Sequence, residues 1–164
     1  MATKISSKQK ITPCLWFDNN GEEAVKFYTS IFKKSKIMIT TRYGDKAPMP
    51  KGTVMTITFK LDGQEFMALN GGPVFKFNEA ISLIVNCDTQ KEIDYFWEKL
   101  SEGGKEVECG WLKDKYGLAW QIVPSILNKW FKHPNNEKKQ KMLQALWQMK
   151  KLDIAQLKKA FDGK

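Results

Sequence analysis

The sequence is poor in the residues that hold metals and form disulfides. Its 164 residues include one histidine and three cysteines. The cysteines, Cys14, Cys87 and Cys109, are odd in number and widely spaced in apolar surroundings, which favours reduced core thiols over a disulfide framework. A catalytic thiol is less favoured, because none of the three has a histidine nearby in sequence.

Long apolar runs are also missing. No stretch approaches the roughly 20 apolar residues that a membrane helix needs, and the charged residues 1–10 have no apolar stretch behind them. With 42% hydrophobic and 12% aromatic residues, the chain can still build the core of an ordinary domain. We therefore expect a soluble, cytoplasmic protein.

The positive charge is concentrated near the C-terminus. The net charge is +9, and the ten lysines and three acidic residues from Lys129 onward give that part +7. Such a tail could attract nucleic acid or another anionic partner. The lysines interleave with apolar residues at helical spacing, however, and no nucleic-acid motif accompanies them. We therefore favour solvated faces of surface helices over a nucleic-acid site.

Hydrophobic periodicity predicts a β-α-β-β-β order in the first half. Asn20, followed by Glu23, is typical of a helix N-terminus, and Asp62-Gly63 is typical of a two-residue hairpin turn. The predicted strands cover residues 12–18, 35–43, 53–61 and 65–69, and the helix lies between the first two.

The same order begins again after Gly71-Gly72. A strand is followed by a helix that starts at a Thr89–Glu92 capping box and ends at Gly103-Gly104. This second copy is predicted to have at most three strands, over residues 80–87, 106–112 and 118–123. Helices are predicted beyond Pro124. The expected domains are residues 1–128, with the paired modules, and residues 129–164, a helical extension packed on that domain or on a dimer partner.

Two segments resemble the vicinal-oxygen-chelate superfamily, which includes glyoxalases, extradiol dioxygenases and bleomycin-resistance proteins. They are Ile11–Phe32, ITPCLWFDNNGEEAVKFYTSIF, and Trp111–Pro124, WLKDKYGLAWQIVP. The branch is the one labelled 3-demethylubiquinone-9 3-methyltransferase-like, and the C-terminal helices resemble it too. The resemblance implies an α+β fold of two tandem βαβββ modules, the second abbreviated, with curved antiparallel sheets round a pocket.

The metal positions of the superfamily lack good ligands here. The first and last strands of each half supply metal ligands in its metalloenzymes, and the matching residues are Pro13, Ala68 or Asn70, Ile81 or Ser82, and Gln121. A transition metal needs about three imidazole, carboxylate or thiolate ligands. We therefore predict no metal and no other cofactor, unless Glu65 or Glu79 reaches inward. The glycine pairs also lack the parallel strand-to-helix context that a nucleotide-type cofactor uses.

A mostly apolar pocket with a few polar groups is typical of a small-molecule site. For each aromatic residue taken singly, a position in the core is favoured over a ligand site, and Asp114 with Gly117 is equally consistent with a turn. The residues predicted to bind ligand are Leu15, Phe17, Met67, Asn70, Ser82, Trp111, Lys113, Asp114 and Gln121.

These observations favour a metal-free small-molecule-binding protein, for example one that sequesters an aromatic compound as bleomycin-resistance proteins do. One alternative is an enzyme that uses a metal, or an acid–base residue among Asp114, Glu65 and Glu79. The other is nucleic-acid or partner binding through the basic tail. We also expect a homodimer whose pocket is completed across the interface, because the short second half leaves sheet edges uncovered.

Overall fold

A computed structural model describes residues 9–163. The chain divides into two compact units, one ending at Lys76 and the other beginning at Phe77. Each unit contains one β-α-β-β-β module, which confirms the predicted α+β fold with C-terminal helices. Those helices belong to the same compact unit as the second module.

The first module forms a four-stranded sheet. Its elements are β1 (Cys14–Phe17), α1 (Gly21–Ile31), β2 (Lys36–Arg42), β3 (Val54–Leu61) and β4 (Gln64–Asn70). The strand order is β1-β4-β3-β2, and β1 pairs with β4 in parallel while the other pairs are antiparallel. Asp62 and Gly63, with φ values of 44° and 85°, form the predicted turn between β3 and β4.

Helix α1 covers one face of this sheet, which we call its back face. Residues that pair across neighbouring strands point to the same side, so the strand register assigns every side chain to a face. The other side is the front face, and it carries Cys14, Trp16, Thr56, Thr58, Met67 and Leu69. The back face packs against the buried α1 residues Ala24, Val25, Tyr28 and Ile31 and carries Leu15, Phe17, Ile57, Phe59, Phe66, Ala68 and Asn70.

The start of α1 differs from the sequence prediction. Asn20 is the N-cap residue, but its side chain makes no capping hydrogen bond. Instead, the amide of Gly21 donates to Oδ1 of Asn70 at 2.9 Å. A Cβ atom on Gly21 would lie 2.6 Å from that oxygen, so a glycine is needed at this position. A distant asparagine therefore replaces the expected local cap.

The second module repeats this topology with shorter strands. Its elements are β5 (Ser82–Cys87), α2 (Gln90–Ser101), β6 (Lys105–Glu106), β7 (Trp111–Lys113) and β8 (Ala119–Pro124), in the sheet order β5-β8-β7-β6. The prediction of at most three strands is wrong, because the single strand expected at residues 106–112 turns at Cys109-Gly110 and becomes two. The Thr89–Glu92 capping box is confirmed.

Helix α2 covers the back face of the second sheet through the buried residues Ile93, Trp97 and Leu100. The indole of Trp97 also donates to Oε1 of Glu106 at 2.7 Å, which ties the helix to β6. The strand residues of this back face are Leu83, Val85, Leu112, Trp120 and Ile122.

Three helices follow the second sheet: α3 (Leu127–Phe131), α4 (Asn136–Leu146) and α5 (Ile154–Asp162). Asp153 caps α5, accepting a hydrogen bond from the amide of Gln156 at 2.9 Å. Among residues 9–163, no helix has the length and apolar character needed to cross a membrane. The three helices bury an apolar cluster of Leu127, Trp130, Met142, Leu146, Leu152, Leu157 and Phe161.

Candidate ligand-binding face

The front face of the second sheet brings together four of the nine predicted site residues. Ser82 pairs with Ala119 and Ile84 with Gln121 across β5 and β8. Across β7 and β8, Trp111 pairs with Gln121 and Lys113 with Ala119. The front face of this sheet therefore carries Ser82, Ile84, Asn86, Lys105, Trp111, Lys113, Ala119, Gln121 and Val123.

An amide and a hydroxyl lie near the middle of this front face. Nε2 of Gln121 donates to Oγ of Ser82 at 2.8 Å. Both residues are half-buried, so the pair is held in place yet reachable from solvent. Within residues 9–163, the side-chain oxygen of Gln121 has no hydrogen-bond partner. The pair therefore offers one free acceptor and the hydroxyl proton of Ser82 as a donor.

A cation lies on the same face, next to the Ser82–Gln121 pair. The side chain of Lys113 is 31% exposed, and its ammonium is paired with Glu79 in the loop before β5. The hydrogen bond from Lys113 holds the pKa of the Glu79 carboxyl below its ordinary value. Since the Glu79 side chain is 57% exposed, an incoming anion could replace it at the lysine with little other rearrangement.

Trp111 supplies a half-buried indole on this face, opposite Gln121. Its N–H has no hydrogen-bond partner in the part of the chain that the structure describes. The ring can contact a planar apolar group, and the N–H can donate to a polar one. The face thus combines one aromatic surface, the ammonium groups of Lys113 and of its cross-strand partner Lys105, and several hydrogen-bonding groups.

The other predicted residues lie elsewhere. We expected Leu15 and Phe17 to share a face with Met67, and this is wrong, because the parallel register pairs Leu15 with Ala68 and Phe17 with Asn70. Leu15 and Phe17 are buried on the back face of the first sheet, against α1. Met67 is half-buried on its front face. Alternation along a strand predicts which of its residues point to the same side of the sheet. It does not predict which side the helix covers.

Asp114 and Asn70 are buried groups that hold the backbone. Oδ1 of Asp114 accepts hydrogen bonds from the amides of Tyr116 and Leu118, at 2.8 and 3.1 Å, and Oδ2 accepts one from the indole of Trp120 at 2.8 Å. This arrangement matches the turn role that the sequence left open for Asp114. Asn70 accepts from Gly21 and donates to the carbonyl of Val54 at 3.0 Å.

A model of the 3-demethylubiquinone-9 3-methyltransferase family matches residues 9–123. The chain belongs to this family. Among solved structures, the PhnB protein of Bacillus cereus, described as a 3-demethylubiquinone-9 3-methyltransferase, is 41% identical. The match covers 71% of this chain and 99% of that protein, with a TM-score of 0.66. No match was found among curated proteins.

More distant structures show the same fold. Protein PA1353 from Pseudomonas aeruginosa is 22% identical over 71% of this chain and 97% of that one, with a TM-score of 0.59. The fosfomycin resistance protein FosX from Listeria monocytogenes is 14% identical over 79% of this chain and 99% of its own, with a TM-score of 0.55. These likenesses show that the fold is shared with these proteins. The family match ends at residue 123, before the helices that the resemblance was expected to include.

Within each unit, the metal positions implied by the resemblance do not assemble a set of metal ligands. Pro13 lies before β1, Ile81 is 75% exposed, and Ala68 and Asn70 are on a back face. Within the second unit, Ser82 and Gln121 meet through their hydrogen bond. Among residues 9–163, no group of three His, Cys, Asp or Glu side chains is placed to hold a metal ion. The sole histidine, His133, stacks edge-on against Phe161 in the C-terminal helices.

The glycine pairs serve packing. A Cβ atom on Gly71 would lie 2.3 Å from the ring of Trp16, whose indole donates to the carbonyl of Gly72 at 2.8 Å. A Cβ atom on Gly104 would lie 2.1 Å from the carbonyl oxygen of Lys113. Close packing therefore requires a glycine at positions 71 and 104, whereas a Cβ atom on Gly72 would meet nothing within 4 Å.

The cysteines are not arranged as nucleophiles. Burial, with the nearby carboxylates Glu92 and Asp88, raises the pKa of the Cys87 thiol to about 12. Cys14 is exposed on the front face of the first sheet, so the expectation that all three thiols lie in the core is wrong. Partial burial raises the pKa of the Cys14 thiol as well.

Proposed function

We propose that this protein binds a small organic acid with a planar apolar part on the front face of its second sheet, without a resident metal. The observation that carries the proposal is the convergence of Trp111, Lys113, Gln121 and Ser82 on that face. Lys113 would bind the acidic group in place of Glu79, Trp111 would contact the planar part, and the Ser82–Gln121 pair would orient it.

The arrangement of carboxylates supports binding over acid–base catalysis. Asp114 accepts three hydrogen bonds from the turn and from Trp120, so its oxygens are already engaged. Glu79 is exposed and paired with Lys113. Glu65 is buried in the first sheet, where its carboxylate lies 3.9 Å from the ammonium of Lys60. None of the three candidate residues is a free carboxylate on the proposed face.

A pair of probes with the same ring separates charge from shape. Benzenesulfonate carries a permanent negative charge, whereas benzyl alcohol is neutral. Titrations of the full-length protein, followed by the NMR signal of the Trp111 indole N–H, should show tighter binding of benzenesulfonate. The signal is assigned with Trp111→Phe.

The lysine gives matched variants for the same titration. Lys113→Met should abolish the preference for the anion, and Lys115→Met, in the adjacent turn, should leave it unchanged. Glu79→Gln removes the competing carboxylate and should tighten binding only modestly, because exposed ion pairs contribute little. Equal binding of both probes, or equal effects of the two lysine variants, would refute an anion site.

A further inference from the structure

We infer that the segment of residues 149–154, which joins α4 to α5, fixes the position of Trp111 and thereby sets the affinity of the proposed face for its ligand. The effect on ligand affinity rests on the proposed function. The structural part, that the segment fixes the position of the indole, rests only on contacts within the second unit.

Trp111 follows directly after a tight two-residue turn. Cys109 and Gly110 have φ values of 63° and 80°, the left-handed values of a type I′ hairpin turn. The amide of Val107 donates to the carbonyl of Trp111 at 2.9 Å, and the amide of Trp111 donates to the carbonyl of Glu108 at 3.2 Å. The turn and the backbone of Trp111 therefore move together.

The 149–154 segment holds both amides of this turn. The amide of Cys109 donates to the carbonyl of Met149, and that of Gly110 to the carbonyl of Lys150, each at 2.7 Å. The close approach depends on a glycine, because a Cβ atom on Gly110 would lie 3.0 Å from Cδ1 of Leu152. The amide of Ile122 in β8 also donates to the carbonyl of Gly110 at 2.7 Å, so the turn is held between β8 and the 149–154 segment.

The segment is in turn held to α2. Nε2 of Gln90, the first residue of that helix, donates to the carbonyl of Leu152 at 3.1 Å, and its Oε1 accepts from the amide of Ile154 at 2.9 Å. The ammonium of Lys151 lies 2.6 Å from Oδ1 of Asp94. The Leu152 side chain is fully buried in the C-terminal cluster. Hydrogen bonds thus join the 149–154 segment to α2 at one end and to the turn before Trp111 at the other.

This support lies outside the part of the chain matched by the family model, which ends at residue 123. The Bacillus cereus relative is matched over 99% of its length by 71% of this chain, so more than a quarter of this chain has no counterpart there. The C-terminal helices therefore add to the family fold a means of setting one side chain of the ligand face.

Two pairs of variants test the inference in the full-length protein labelled with 5-fluorotryptophan. Gln90→Ala removes both side-chain hydrogen bonds to the segment, and Gln156→Ala is its control on the exposed surface of α5. Leu152→Ala opens space beside Gly110, and Leu157→Ala removes an equally buried leucine of the same cluster. Because both leucine variants lose an equally buried side chain, this pair distinguishes a displacement of Trp111 from a general loss of protein stability.

We expect Gln90→Ala and Leu152→Ala to shift the ¹⁹F resonance of Trp111, to speed amide hydrogen exchange at Cys109 and Gly110 at least ten-fold, and to weaken benzenesulfonate binding several-fold. The controls should change none of these. An unmoved Trp111 resonance in both test variants would overturn the inference whether or not benzenesulfonate binds. A moved resonance with unchanged benzenesulfonate affinity would overturn its functional part. If the wild-type protein binds no benzenesulfonate but the resonance moves, the proposed function fails and the structural control of Trp111 stands.

Discussion

Asn70, at the end of β4, caps helix α1 by accepting a hydrogen bond from the amide of Gly21 at 2.9 Å. The residues are far apart in sequence, and the same asparagine also donates to the carbonyl of Val54 in β3. One buried side chain thus fixes where the helix begins relative to the sheet. Its hydrogen bonds are all to backbone groups, which argues for a structural role.

Asn70→Ala should destabilise the protein by about 1–3 kcal/mol for each buried partner left unsatisfied. The matched control is Asn20→Ala, because Asn20 is the N-cap residue and its side chain makes no capping hydrogen bond. Urea unfolding followed by circular dichroism gives the free energies of unfolding. A larger loss from Asn20→Ala than from Asn70→Ala would contradict this assignment.

Binding of benzenesulfonate should strengthen at acid pH. The hydrogen bond from Lys113 lowers the pKa of Glu79, so this carboxyl competes for the lysine down to a pH below its ordinary value of 4.5. Once the pH falls through that lowered pKa, Glu79 becomes neutral and its ion pair is lost, while the sulfonate keeps its charge. The increase in benzenesulfonate affinity at acid pH should be absent in Glu79→Gln. An increase that persists in this variant would show that another group causes it.

The protein should purify without a stoichiometric transition metal, since the superfamily positions here carry Pro13, Ala68 or Asn70, Ile81 or Ser82, and Gln121. Elemental analysis by mass spectrometry after gel filtration measures zinc, iron, nickel and manganese per chain. One tightly held metal that is lost in Gln121→Ala would show that the front face is a metal site instead.

Met142→Ala should cost about 2–5 kcal/mol of stability, because this side chain is fully buried in the C-terminal cluster. Gln140→Ala, on the exposed side of α4, should have little effect. Neither variant should alter retention of nucleic acid in filter-binding assays. If truncation before α3 left the melting temperature unchanged but abolished nucleic-acid retention, the basic helices would be the functional part.

We expect a homodimer in solution. Strand β2 lies at one end of the first sheet's strand order, and its residues Ile37 and Met38 are 41% and 39% exposed. Uncovered edges of this kind favour association with another chain. Light scattering at micromolar concentration should give about twice the chain mass of 18.9 kDa, and Ile37→Lys should lower it. A monomeric wild-type protein would refute the prediction.

Local signals in the sequence were sufficient to predict several structural elements. The Asp62-Gly63 turn depends on the conformations of two adjacent residues, and the Thr89–Glu92 capping box closes within one helical turn. Both could be predicted because their physical causes lie within four residues. The module order followed from such local signals in succession.

The faces of the sheets could not be predicted in the same way. The side on which Leu15 lies depends on the parallel pairing of β1 with β4, and these strands are separated by the rest of the module. The turn at Cys109-Gly110 was missed because a cysteine at left-handed φ is uncommon. The partner of Lys113 was missed because Glu79 lies in a loop before a different strand.

The repeated strand register has an evolutionary consequence. Cys14 pairs with Met67 in one half as Ser82 pairs with Ala119 in the other, so Thr56 and Leu69 correspond to Trp111 and Gln121. A duplicated module offers two copies of one surface, and only one copy needs polar groups for recognition. Gln121 stands where the first half has Leu69, so substitutions at a few positions of one half can change the proposed binding preference and leave the other half as it is.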